Sequence, residues 1–211
     1  MISREAATQA ALALADEEGL NALSLERLAT RLGVKAPSLY YYFKDKAEIL
    51  ASVARLIMVG AETPSDVRDG DWAEYMVRQA VEFRRAVLSH VNAAPLLLEY
   101  MPRQMLLSAY ERMARVLTAA GVPTNRHILL FEGVDKLTLG SALYAASQQS
   151  KGISEALFPR VDEERDPLLA AAVGENLWDG EALFAETVRS FVRGAVAASA
   201  PKRSRRRAAS A

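Results

Sequence analysis

Apolar residues recur about every 3.6 positions along almost the whole chain, and no stretch sustains the two-residue alternation of an antiparallel sheet. An all-α fold is expected. The pattern predicts a first helix over residues 4–18, closed by Gly19. Ser24 then N-caps a second helix in which Leu25, Leu28, Ala29 and Leu32 share one face before Gly33 stops it. A third short helix follows, with Pro37 in its first turn and Leu39 and Phe43 four apart on one face. Asp45 and Glu48 form the pattern of a capping box opening a fourth helix, carried by Ile49, Leu50, Val53, Leu56 and Ile57.

Residues 60–71, GAETPSDVRDGD, break this periodicity and mark a boundary. Beyond it, helices are expected over 72–89, 95–101, 103–120, 125–149 and 180–198. Residues 150–167 carry Gly152, Pro159, Pro167 and an acidic stretch from Asp162 to Glu164, and are expected as a long covering connection with at most one helical turn. No internal repeat is present. The expected organisation is an N-terminal helical unit over 1–45, a connecting helix plus a helical domain over 46–199, and a basic tail over 200–211.

Residues 24–43, SLERLATRLGVKAPSLYYYF, have the layout of a helix-turn-helix pivoting on Gly33 and Val34. In such a motif the first helix braces on the DNA backbone, and the second presents polar side chains to a major groove about 12 Å wide. Leu25, Leu28, Leu32, Leu39 and Phe43 would fix the angle between the two. Lys35, Ala36, Ser38, Tyr40, Tyr41 and Tyr42 are left for the outer face. Successive helical residues are about 100° apart, so three consecutive tyrosines cannot share one buried face. Ser24 is explained by capping alone, and Tyr41 equally by packing or by exposure.

Charge adds a qualification. The chain of 211 residues balances 26 Lys and Arg against 26 Asp and Glu, yet Lys202, Arg203, Arg205, Arg206 and Arg207 stand together with no acid nearby. That tail reads equally as a solvated arm or as an auxiliary phosphate contact. Residues 1–50 hold six basic and seven acidic side chains, which is low for a DNA-binding unit and predicts a shallow salt dependence. Nucleic-acid binding therefore rests on the motif. Zero cysteines remove disulfides and thiolate metal sites, the two histidines are far apart in sequence, and no apolar run is long enough to span a bilayer. A cytoplasmic protein with no metal, no cofactor and no membrane partner is expected. Hydrolase, zinc-protease and phosphate-loop signatures are lacking, which leaves an enzyme as the weaker alternative.

LATRLGVKAPSLYYYFKDKAEIL resembles the hallmark of the tetracycline-repressor (TetR) family of bacterial regulators, through Ala29, Gly33, Val34, Leu39, Tyr40, Phe43 and Lys46. FRRAVLSHVNAAPLLLEYMP is similar to the tetracycline-repressor branch itself. The resemblance implies phosphate contacts by Thr30, Tyr40, Tyr42 and Lys46, and recognition-helix positions for Lys35, Ala36, Ser38 and Tyr41. It also implies a homodimer formed through 125–149 and 180–198, whose Gly133, Gly140 and Gly194 suit close helix packing. Operator DNA and a small-molecule effector would be the partners, in a repressor role. The effector site would be drawn from Phe83, Val87, His90, Asn92, Leu97, Tyr100, Met101, Met105, Leu139 and Tyr144. Each of these is also what an ordinary helical core contains, and His90 is better explained by a helix-end hydrogen bond. Where the branch has a histidine and an arginine before a proline, this chain has Leu97 and Met101 before Pro102, so a tetracycline–metal chelate would lose its polar ligands and a mostly apolar effector is expected. A regulator without any effector pocket is the other reading.

Overall fold

The computed structural model describes residues 2–60, 71–101, 103–152 and 161–197. Among them every regular element is helical: α1 (Arg4–Glu18), α2 (Leu25–Leu32), α3 (Lys46–Val59), α4 (Trp72–Leu88), α5 (Leu96–Glu99), α6 (Arg103–Ala119), α7 (Thr124–Gln149), α8 (Pro167–Gly174) and α9 (Gly180–Ala197). The caps that define them are chemical. Ser3, Ser24, Asp45 and Asp71 each accept an N–H from the first turn of the helix they open.

Two corrections to the expected elements emerge. The third helix is a 3-10 turn over Ala36–Ser38 followed by linked turns, in which the Tyr42 and Phe43 N–H groups both donate to the Leu39 carbonyl at 2.9 Å. Pro37 supplies no N–H, and the Ser38, Leu39 and Tyr42 N–H groups donate three residues back, to Lys35, Ala36 and Leu39, rather than forming a continuous α ladder. The connection after α7 gives way to α8, whose opening Asp166–Pro167 pair is a helix-start signal. Its sequence PLLAAAVG is apolar all round and shows no stripe. The part of that connection expected to cover something, 153–160, lies outside the described residues, as does the basic tail.

The N-terminal unit packs α1 on α2 and on α3, while α4, α7 and α9 pack on one another and α6 lies on α7. The cores are not divided at the sequence boundary. One apolar cluster begins with Leu28, Leu39, Phe43, Ile49, Val53 and Ile57 and continues without interruption into Val87, Leu97, Ala142 and Ala146. A second, formed by Tyr75, Met76, Leu117, Leu130, Phe184, Val188 and Val192, lies wholly within the C-terminal helices. α3 is thus held from both sides: by α1, whose Arg4 reaches Glu48 and Ser52, and by α4 and α5.

Candidate nucleic-acid interface and effector cavity

The recognition segment is built from a turn that only glycine adopts without strain. Gly33 sits at φ 66°, ψ 28°, and the Val34 N–H donates back to the Ala29 carbonyl at 3.0 Å, closing α2 and redirecting the chain. Leu39 and Phe43 are fully buried beneath it. On the outer side Tyr40 is 57% and Tyr41 86% exposed, far more than packing demands of a tyrosine. Lys35, Ser38 and Lys46 are also exposed, and Ala36 is half-buried.

Arg4 fastens this segment. Its Nη1 donates to the Tyr42 carbonyl and its Nη2 to Glu48 Oε1, both at 2.6 Å, and its guanidinium lies 4.7 Å from the Phe43 ring centre. Glu48 accepts from the Lys44 N–H at 2.7 Å, so the capping box closes one residue further out than its usual form. The Lys44 N–H, with Arg4, holds the Glu48 carboxyl below the ordinary carboxylate range. Sequence reasoning missed Arg4, whose partners are 38 to 48 residues away.

Two of the expected phosphate-contacting side chains are engaged within the protein. Tyr42 donates its hydroxyl to the Ile2 carbonyl at 2.6 Å, and Thr30 Oγ1 donates to the Glu26 carbonyl at 2.9 Å. Thr30 stays exposed, whereas Tyr42 is half-buried and meets Tyr41 edge-on. Tyr40 and Lys46 remain free of any such tie among the described residues.

In the C-terminal helices α3, α4, α5, α6 and α7 enclose a cavity of about 640 Å³, well within the range of small-ligand sites. Phe83, Leu97, Met101, Met105 and Leu139 line it, as expected. The other five expected residues do not. Val87 is fully buried in the first core, and Tyr100 packs partly against that core, its phenol pushed up by desolvation and the neighbouring Glu99. Tyr144 is 62% exposed on the outside of α7. His90 and Asn92 turn to α1 instead: His90 Nδ1 meets Asp16 Oδ2, and Asn92 Nδ2 donates to the Asp16 carbonyl. The spacing of an apolar helix face does not tell a cavity wall from a core, and that explains Val87 and Tyr100.

Gln79 is among the cavity residues that the sequence did not reveal, with Met58, Met76, Tyr110, Met113 and Phe131. Its Nε2 is buried and without a hydrogen-bond partner among the described residues, an arrangement that costs about 1–3 kcal/mol unless something accepts from it. At the α6–α7 side Tyr110 pairs with Asp135 and Glu132 with Lys136. No group of His, Asp or Glu able to hold a metal occurs among the described residues.

Comparison with known proteins agrees with both halves of this arrangement. The family described as bacterial regulatory proteins, tetR family, matches residues 7–53, and the tetracyclin repressor-like C-terminal domain matches residues 63–198. The chain belongs to the TetR family. Tetracycline repressor protein class D of Escherichia coli is 29% identical over 195 residues, covering 92% of this chain and 88% of the relative. Among solved structures, a possible TetR family transcriptional regulator from Streptomyces coelicolor A3(2) superposes with a TM-score of 0.74 at 27% identity, covering 91% of this chain and 98% of that one. ActR of Streptomyces coelicolor in complex with (S)-DNPA shares the fold, with a TM-score of 0.72 at 23% identity over 93% of this chain and 98% of its own. This TetR-family chain is a transcriptional regulator, and its relatives are regulators rather than enzymes. No helix among its described residues is long and apolar enough to cross a membrane.

Proposed function

We propose that this TetR-family regulator represses transcription in the cytoplasm by binding a near-palindromic operator as a homodimer, and that a small, mostly apolar effector releases it. The domain division follows: residues 1–45 read DNA, 46–199 connect, sense and dimerise, and 200–211 form a basic arm. The observation that carries the reading is the position of α3. Its N-terminal half is packed into the recognition unit, while Met58 and Val59 at its other end line the cavity. An occupant of that cavity touches the same rigid helix that carries Lys46.

Several features support the finer points. The outer faces of α7 and α9 carry Gly140 and Gly194 with nothing within 4 Å, and α8 leaves Leu168 87% exposed, with Leu177 and Trp178 beyond it, so a second chain has an apolar surface to cover. Gly133 is not available for that purpose, because the Phe191 ring of α9 already fills the space above it. The cavity lining combines Met, Leu and Phe side chains with Gln79 and the charged Glu99, Arg112, Glu132, Asp135 and Lys136, which suits an effector with a mostly apolar body that carries polar groups at its edge. Leu97 and Met101 offer no ligand for a metal chelate. Tyr40 and Lys46 would hold phosphates while Lys35, Ala36, Ser38 and Tyr41 face base edges, with Thr30 and Tyr42 able to add only what their internal bonds leave.

Selection of bound sequences from random duplex DNA tests the proposal. The expected product is a near-palindrome with half-sites roughly 34–36 Å apart, one helical turn. Recovery of no preferred sequence, or a chain that stays monomeric at micromolar concentration, contradicts it.

A further inference from the structure

Residues 1–50 carry seven acidic side chains, and five of them have tasks inside the protein. Glu17 pairs with Arg31, Glu18 with Arg27 and Glu48 with Arg4, Asp16 meets His90, and Asp45 caps α3. Glu5 and Glu26 are left, each in the first turn of its helix beside the capping serine. The same pairs take up Arg4, Arg27 and Arg31, three of the six basic side chains in this stretch.

Successive helical residues turn by about 100°, which sorts α2 into three stripes. Leu25, Leu28, Ala29 and Leu32 face the core. Arg27 and Arg31, four apart, lean on Glu18 and Glu17 of α1. The third stripe, Glu26, Thr30 and Gly33, is exposed and runs directly into the turn from which Lys35 and Ser38 emerge. A duplex seated on the recognition segment meets α2 through this stripe, because the other two are occupied. In a helix-turn-helix the first helix crosses the backbone at the groove edge, so a residue of its first turn comes close to the bases.

A carboxylate in that place repels phosphates, and it repels the acceptor edges of guanine and thymine as well. The major groove offers it two donors, the N4 amino group of cytosine and the N6 amino group of adenine. Adenine sets the N7 acceptor beside its amino group, whereas cytosine has no acceptor on that edge. The Glu26 carboxyl stays ionised, because its own N–H and then the Ser24 hydroxyl hold it below the ordinary carboxylate range.

We propose that Glu26 is a specificity-determining residue whose carboxylate accepts from the N4 amino group of a cytosine in each operator half-site. The proposal rests on the reading of the chain as an operator-binding dimer and adds to it a residue and the base that residue selects. The same negative charge disfavours every duplex without cytosine there, so Glu26 sharpens specificity while lowering affinity for unrelated DNA.

The experiment repeats the selection from random duplex DNA with the full-length chain and with Glu26→Gln, Glu26→Ala and Glu5→Gln, whose folds are checked by thermal melting. The parent is expected to select a cytosine at one position of each half-site and to bind it about tenfold more tightly than any other base there. Glu26→Gln should move that preference to adenine, whose N6 and N7 match an amide. Glu26→Ala should lose the preference at that position alone and bind unrelated duplexes several-fold more tightly. Glu5→Gln removes the same charge from the same unit and should select as the parent does. The proposal is overturned if both Glu26 variants keep the parent's preferred bases, if Glu26→Ala merely tightens all duplexes alike, or if Glu5→Gln changes the preferred bases in the same way. A parent that selects an operator whose bases the Glu26 variants leave unchanged refutes this role and leaves the regulator standing. A parent that selects no sequence refutes both.

Discussion

His90 Nδ1 lies 2.7 Å from Asp16 Oδ2, and this contact joins the turn after α4 to the last turn of α1. Asn92 Nδ2 donates to the carbonyl of the same residue at 2.7 Å, while Asp16 Oδ1 is buried without a partner. Apart from the α3 packing, this is a direct polar tie between the recognition unit and the C-terminal helices. Replacing His90 and Asn92 together with alanine is expected to loosen the placement of the recognition segment and weaken operator binding several-fold, roughly 1 kcal/mol. Fluorescence anisotropy on the selected duplex reads the change, and an affinity equal to the parent's would show that α3 alone sets the placement.

The exposed tyrosines and lysines of the recognition segment are expected to separate by role. Tyr40→Phe and Lys46→Ala should weaken binding to every duplex alike, because phosphates position the protein without reading sequence, whereas changes at Lys35 or Ser38 should shift the preferred bases. Repeating the selection with each variant decides this. Parental affinity in both Tyr40→Phe and Lys46→Ala would remove the phosphate assignment.

α4 and α9 are clamped by a two-pronged ion pair, in which Arg189 Nε and Nη2 donate to the two Glu74 oxygens at 2.5 and 2.8 Å. Arg189 above all, with Arg193 and Arg78 adding attraction, holds the Glu74 carboxyl below its ordinary value. A carboxyl lowered in the folded state stabilises fully above the unfolded value, about 4.3, and loses that contribution as pH falls through the folded value. Both side chains are about a quarter exposed, so Glu74→Gln is expected to cost only about 1 kcal/mol at neutral pH. The gap in melting temperature between parent and variant should narrow as pH falls below about 4. A gap independent of pH would mean that the variant acts through packing.

Gly133 on α7 is needed for close approach to α9. A Cβ placed there would lie 2.0 Å from Phe191 Cζ, so Gly133→Ala must displace the ring, at an expected cost of about 1–3 kcal/mol. Adding Phe191→Leu makes room and should recover part of that stability. Chemical denaturation of the single and double variants measures the coupling, and purely additive effects would contradict the contact.

Much of this was legible in the sequence, for reasons that lie in particular residues. Ser24, Gly33 and Asp45 announce their caps locally, and Leu28, Leu39 and Phe43 fill the core that their spacing indicates. Arg4 could not be found that way, because its partners Tyr42 and Glu48 are distant in sequence and the helical period says nothing of them. His90 makes a polar contact at a helix end, the reading its sequence setting favoured, whereas the turn that carries Asn92 to Asp16 is not encoded in a periodic pattern. Gln79 escaped notice because a polar residue within an amphipathic helix reads as solvent-facing; only the packing around it shows that its amide nitrogen is buried beside the cavity.

The central claim is that occupation of the cavity and binding of operator are coupled through α3. Titrating menadione, a small and mostly apolar probe, into the protein alone and into its complex with the selected operator duplex measures that coupling directly. A fiftyfold loss of operator affinity corresponds to about 2.3 kcal/mol, and reciprocity requires the duplex to weaken menadione binding by the same factor. Equal menadione affinities with and without the duplex would contradict the account.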